Sequence, residues 1–287
     1  DQQDDDYGYE CFGGFGLSET TELLAGYAPG TKPNKWPTGI AQSIPAGWDL
    51  VVQMHYAPVL EDMEDQSTIN IFLADEGDNR VIESFTMIDT EIQLPPYQIT
   101  EVYNSVYVPN DISIISFFPH SHLLGDSWEI FATTALNDTI PFIRINDWDF
   151  DWQNYYYPEY MLRIPSGSTI HAIATYDNTL NNPDNPNNPP QYVFWGDLTT
   201  NEMFFLPILY LEYQLGDENI SLGLEQNLIG DINFDDSLDV IDIVLIVNFI
   251  LGDSGFSDNQ LLISDVNDDN TVDILDVVTI VNMILNF

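Results

Sequence analysis

The sequence predicts a mainly β chain, an antiparallel sandwich followed by a small α-helical tail. Three observations carry this. From about Trp36 to Leu215 apolar and polar residues alternate in short runs bounded by turn clusters. After Leu224 the apolar spacing changes from period 2 to the helical period. The tail then repeats itself: the segments starting at Asp231 and Asp265, 34 residues apart, are identical at 11 of 22 positions.

Taken in order, DQQDDDYGYECFGGFG is acidic and Gly-rich and reads as an extended lead-in. Strand-like runs follow: WDLVVQMHYAPV, STINIFLA, ISIISFFPHSHLL, SWEIFATTAL, STIHAIATY, QYVFWGDL and MFFLPILYLEY. The Asn/Pro stretch DNTLNNPDNPNNPPQ can be neither helix nor central strand, so it is a surface excursion. Three parts result: 1–57, 58–218 and 219–287.

The chain has 287 residues, with 47 Asp+Glu against 5 Lys+Arg, a net charge of −42. Lys32, Lys35, Arg80, Arg144 and Arg163 cannot make the basic face that nucleic acid or an anionic membrane needs. At 44% hydrophobic residues the chain as a whole is not of disordered composition. Its longest apolar run, Ile243 to Leu251, is too short to span a bilayer. With no initiator Met and no leader, it reads as a processed protein or a piece of a longer one. Cys11 is the single cysteine. It reads either as an intermolecular or interdomain disulfide partner or as a small buried thiol. The sequons at Asn137 and Asn219 are a weak signal.

Each tail repeat places oxygen-bearing side chains at loop positions 1, 3, 5, 7, 9 and 12. They are Asp231, Asn233, Asp235, Ser237, Asp239 and Asp242, then Asp265, Asn267, Asp269, Thr271, Asp273 and Asp276. A Ca²⁺ ion takes six to eight oxygens, and an EF-hand-like loop supplies them at this spacing. An apolar helix follows each loop. The repeats resemble a type I-like dockerin domain over about 226–287. Position 6, usually Gly, is Asp236 and Asn270, and Asn tolerates a left-handed backbone better than Asp. Positions 10 and 11, recognition residues in such domains, are Val240/Ile241 and Ile274/Leu275. The resemblance therefore implies a cohesin-like or cell-surface partner met through an apolar surface.

The β part holds all four histidines, His55, His120, His122 and His171. On a strand, His120 and His122 would project from one face and could converge on one ion. Alone, such a pair is more often a surface or core feature, and Met203 alone reads as core filler. In order along the chain, GIAQSIPAGWDLVVQMHYAP, PHSHLLGDSWEI, INDWDFDWQNYYY and YDNTLNNPDNPNNPPQYVFWGDLTTNEMF together resemble the copper type II, ascorbate-dependent monooxygenases, bacterial branch, over about 20–215.

That resemblance implies jelly-roll-like sandwiches and a copper held by His120, His122 and Met203, where O₂ is activated and a C–H bond hydroxylated. A soft thioether favours Cu(I). It assigns His55 to a second, electron-storing copper whose other two ligands, a His-His pair, have no counterpart because no His precedes His55. Residues 1–57 then look like the tail of a first sandwich. Either the chain is the C-terminal portion of a longer enzyme or those ligands are lost. Cys11 fits the former. His171 matches no ligand of the family and reads as packing on the sheet surface. Phe118, Phe205 and Pro207 stand where peptide-amidating relatives place a carboxylate-binding Arg, a polar residue and a Tyr. The resemblance thus implies an apolar pocket lined by Phe118 and Phe205.

The reading is a secreted, extracellular or cell-surface copper monooxygenase-like protein using ascorbate or another reductant and tethered by a Ca²⁺-loaded dockerin. The alternative is a non-catalytic subunit of an extracellular filament or surface assembly, self-associating by strand complementation.

Overall fold

The chain divides into two compact units, Asp1–Ile220 and Ser221–Phe287. The computed structural model describes residues 24–27, 31, 34, 36–54, 56, 66–74, 77–222, 229–234, 237–252, 255–267, 269 and 271–285. Cys11, His55, Asp235, Asp236 and Asn270 lie outside the described residues.

The first unit is mainly β. Its strands are β1 (Ile40–Gln42), β2 (Arg80–Asp89), β3 (Gln93–Leu94), β4 (Gln98–Val108), β5 (Ile112–Phe117), β6 (Gly125–Thr133), β7 (Thr139–Ile145), β8 (Leu162–Ile164), β9 (Ser168–Asn178), β10 (Val193–Phe194) and β11 (Phe204–Glu212). One sheet has the order β1-β2-β11-β5-β8 and another β4-β9-β6-β7, while β10 pairs with β3. Between these strands every pairing is antiparallel except that of β1 with β2.

β9 shows how sequence becomes sheet. Its residues alternate strictly between buried and half-buried, so Ile170, Ala172, Ala174 and Tyr176 face inward and His171 outward. The large sheets share one core. Met87, Ile114, Phe117, Ile164, Leu206 and Ile208 come from the first, and Trp128, Ile130, Ala132, Ile170, Ala172 and Tyr176 from the second. This is the arrangement of an antiparallel β-sandwich. Trp128 of β6 meets Phe204 of β11 with ring centroids 4.8 Å apart, joining the two layers. Each such buried side chain contributes about 1.5–3 kcal/mol of burial.

Two expectations differ from the structure. Residues 48–54 and 66–74 alternate like strands but join no ladder, and Phe72 and Leu73 are 90% and 86% exposed. Alternation makes a segment compatible with a sheet, and only a matching edge makes it a strand. Conversely, β2, β4 and β7 form outside the strand-like runs singled out above. β4, QITEVYNSVYV, keeps one row of side chains exposed, and it is held by eleven register pairs with β9.

Two features of the first unit organise the surroundings of β11. Pro207 sits mid-strand in β11 opposite Thr86 and has no N–H for a ladder bond. Beside it β5 ends at Phe117, yet Phe118 N donates to Pro207 O at 3.0 Å and His120 N to Phe205 O at 2.9 Å. The chain after β5 therefore stays alongside β11. After β11 the buried Asp217 accepts bonds from both terminal nitrogens of the Arg80 guanidinium (2.6 and 2.9 Å), Ser113 Oγ (2.6 Å) and Gln214 N (2.9 Å). Arg144 and Arg163 likewise pair with Glu129 and Asp111.

The second unit contains α1 (Val240–Ile250), α2 (Asp258–Ser264) and α3 (Ile274–Leu285). Ile232, Ile246, Ile263, Val277 and Ile280 form its core. Asp239 caps α1 and Ser257 caps α2, each in a reciprocal capping box. Among the described residues no helix is long and apolar enough to cross a membrane.

Candidate metal centre

The His-x-His pair does not lie on a strand. β5 stops short of Pro119, which has no donor to continue a ladder, and the pair occupies the connection to β6. His120 makes an isolated antiparallel bridge with Phe205. The two imidazole centroids are nevertheless 5.1 Å apart, with their planes at 84°.

Both rings are oriented through Nδ1. His120 Nδ1 is bonded to Gln153 Oε1. The Gln153 amide is itself set by Nε2 donating to Phe150 O at 2.7 Å, which turns its oxygen to the imidazole. His122 Nδ1 lies 3.1 Å from Asn201 O. Each Nδ1 thus faces a carbonyl oxygen and must be the protonated nitrogen, so the lone pair of each ring resides on Nε2. That tautomer is the one a metal-ligating histidine takes when a carbonyl holds its other nitrogen.

Glu202 ties the backbone of Met203 to that of His122. The Glu202 side chain is fully buried. Its Oε2 accepts from His122 N at 2.8 Å and from Met203 N at 2.9 Å, and its Oε1 accepts from Leu124 N at 2.8 Å. Burial pushes this carboxyl up to about 7, although the amides of His122, Leu124 and Met203 pull it down. On the other side of Met203, its carbonyl accepts from Tyr176 Oη at 2.9 Å. Trp128 Nε1 donates to Ser121 Oγ at 3.0 Å, and Ser121 Oγ lies 3.4 Å from Tyr176 Oη. Burial drives the Tyr176 phenol well above its usual range, so it stays a donor.

Phe118 and Phe205 flank His120. The Phe118 ring stacks on it at 6.1 Å and 13°, and the Phe205 ring stands edge-on at 6.2 Å. Tyr155 packs on Phe118 at 4.9 Å and accepts the Gly26 amide at 3.1 Å. The Asn/Pro stretch also reaches the centre. Asn182 Nδ2 donates to Leu123 O at 3.1 Å, and Asn178 Nδ2 bonds the carbonyls of Leu94, Pro95 and Gln191. His171 lies apart, on the outer face of β9. It is stacked on Phe131 and Tyr103, with Nδ1 2.7 Å from Tyr103 Oη and Nε2 2.8 Å from Thr133 Oγ1.

Glu202, Gln153, Asn201 and Tyr176 were not among the residues the sequence singled out. The only signal for Glu202 is its place, one carboxylate directly before Met203 and the apolar FFLPILYL run.

The tail repeats superimpose in their bonding. Asp242 Oδ1 accepts from Ile232 N (2.8 Å) and Asn233 N (3.3 Å), and its Oδ2 from Asp239 N (2.9 Å). Asp276 does the same with Val266 N (2.8 Å), Asn267 N (3.2 Å) and Asp273 N (2.8 Å). Position 9 matches too, Asp239 accepting from Ile241 N and Asp273 from Leu275 N, both at 2.7 Å. In the second loop Asp265 accepts the Asp269 amide at 3.0 Å, which curls positions 1 to 5 together. Asp231, Asp242 and Asp276 are buried, while Ser237, Asn267, Asp269 and Thr271 are exposed. Among the described residues no group of three or more His, Cys, Asp or Glu side chains is gathered as a metal site.

No protein-family model matches this chain, and no curated protein does. Among solved structures it is similar to the capsid of infectious bursal disease virus. The structure of the Gx strain is 11% identical over 51% of this chain and 38% of that chain, with a TM-score of 0.25. The VP2 subviral particle is 14% identical over 53% and 39%, also with a TM-score of 0.25. This chain thus spans less than two fifths of either relative, and the likeness is too slight to carry an assignment.

Proposed function

We propose that the first unit is the copper-holding part of a monooxygenase of the ascorbate-dependent copper type, with His120, His122 and Met203 as ligands. The observation that supports it is the single carboxylate of Glu202 tying His122 to Met203 while both histidines carry their lone pairs on Nε2. Two imidazoles and a thioether suit Cu(I). When bound, copper supplies the electron with which O₂ is activated for C–H hydroxylation. The chain's own residues orient the rings, tie the Met203 backbone to that of His122 and flank His120 with Phe118 and Phe205. These aromatic walls favour an apolar substrate over a carboxylate-bearing one. In this reading the sandwich is of jelly-roll type and residues up to 57 belong to the end of a preceding one, to which His55 contributes a ligand of a second copper.

The second unit is, on the same proposal, a dockerin whose two EF-hand-like loops bind Ca²⁺. It tethers the enzyme to a cohesin-like or cell-surface partner outside the cell. The support is the repeated closure of each loop by its position-12 carboxylate.

Anaerobic titration with Cu(I) tests the copper reading. Wild type takes up one tightly held equivalent at this centre, X-ray absorption shows two nitrogen ligands and a sulfur, and the His122→Ala variant loses that equivalent. Undiminished uptake by His120→Ala and His122→Ala together overturns it. A second reading, a structural subunit completed by another copy's strand, is favoured by the exposed apolar run around Phe72 and Leu73. Polymers in electron micrographs, with no copper bound, would select it.

A further inference from the structure

We propose that Glu202 is a positioning residue of the copper centre, the group that sets the distance between its imidazole and thioether ligands. This rests on the copper reading above.

Three facts make the case. Glu202 is fully buried, and its three hydrogen bonds to protein amides come from the two segments that carry the ligands. One oxygen, Oε2, is shared between the amides of His122 and Met203, so both residues are referred to a single point. The Glu202 backbone is fixed independently, with its N–H donating to Phe194 O at 3.1 Å and its carbonyl accepting Gly196 N at 3.3 Å. The carboxylate thus hangs from a rigid strand connection and collects a loop, 78 to 80 residues away in sequence, against Met203. With both oxygens engaged by backbone amides, its role in this proposal is geometric.

A carboxylate is the side chain that fits. Two oxygens meeting three N–H donors need no proton of their own, whereas an amide must turn an NH₂ toward one donor. In Glu202→Gln that NH₂ can face Leu124 N, leaving the shared oxygen to His122 and Met203. In Glu202→Asp the reach is one methylene shorter. In Glu202→Leu all three amides lose their acceptor.

The test is anaerobic Cu(I) affinity together with the sulfur contribution to the X-ray absorption spectrum, on the full chain. Residues that orient metal ligands typically change affinity about 10–100-fold when removed. The expected result is a loss in that range for Glu202→Leu, with the sulfur contribution weakened or gone and the two nitrogen ligands kept. Glu202→Asp falls between, and Glu202→Gln recovers near-native affinity and the sulfur signal. Tryptophan fluorescence monitors folding. If Glu202→Leu does not fold, Glu202→Asp decides. A purely structural role would lower the unfolding midpoint of both variants but leave affinity and the sulfur signal at wild-type values, and that outcome overturns the proposal. Failure of wild type to bind copper would instead overturn the reading beneath it.

Discussion

Replacing Asp276 by Ala should unfold the helical unit and leave the sandwich intact. The carboxylate is fully buried and accepts three backbone amides at 2.8, 3.2 and 2.8 Å. Hydrogen bonds to a charged acceptor are worth about 1.5–3 kcal/mol each. Counting the 3.2 Å bond at the low end, the substitution costs about 4.5–7.5 kcal/mol. A unit of 67 residues has a total stability of about 3–10 kcal/mol. Most of it is spent by one side chain. The assay is clean because all six Trp and all 15 Tyr lie before residue 221, while every α-helix of the described residues lies after it. Ellipticity at 222 nm therefore follows the second unit and tryptophan fluorescence the first. In urea, Asp276→Ala should shift the ellipticity transition far below wild type, or abolish it, with the fluorescence transition unmoved. Asp242→Ala should match it, because its bonds repeat those of Asp276 to within 0.1 Å. Saturating Ca²⁺ should stabilise wild type and neither variant fully. A helical transition within about 0.5 kcal/mol of wild type in Asp276→Ala would refute the hydrogen-bond argument.

Further outcomes follow from other sites. Burial raises the Asp217 carboxyl, but bonds from Arg80, Ser113 and Gln214 N outweigh it and hold it below the usual range. The folded state therefore binds this proton less readily than the unfolded one. Its stabilisation is full above about pH 4 and fades as pH falls through the lowered value. Asp217→Asn should lower stability by about 3 kcal/mol at pH 7 and flatten this acid dependence in urea titrations followed by fluorescence. For His171, burial holds the imidazole below its ordinary value, so the fold keeps it neutral. Stability is complete above about pH 6.5 and declines as acid protonates the unfolded chain first. An NMR midpoint at or above 6.5 would contradict this. At Gly196 an added Cβ would collide with the Asn201 side chain. Gly196→Ala should therefore displace the carbonyl that orients His122 and weaken Cu(I) binding about tenfold, with little change in the sandwich's unfolding midpoint.

Sequence was most informative where a pattern is enforced by packing. The alternation of STIHAIATY is the inward and outward face of β9, and the position-12 Asp of each repeat is the residue that closes its loop. It misled where alternation had no edge to join, as at residues 66–74, and it missed β4, whose Tyr103 and Tyr107 row stays exposed. At the candidate centre His120 and His122 were visible through side-chain chemistry. Glu202 was not, because its partners are backbone amides, and amides leave no mark on sequence. Gln153 and Asn201 were hidden for a related reason, since they act through carbonyl oxygens on imidazoles brought close only by the fold.

The pairing of β2 with β11 sets a schedule for the chain's birth. Phe204 stands opposite Asp89 and Tyr210 opposite Glu83, so β2 waits for a neighbour made 115 to 127 residues later. At about 5–20 residues per second this is roughly 6–25 s of translation during which β2 has an open flank. The tail asks for nothing comparable, because Asp242 closes on Ile232 across ten positions. Loops so local form in well under a millisecond. The nascent sandwich, and not the tail repeats, is the stage at which a chaperone would find something to hold.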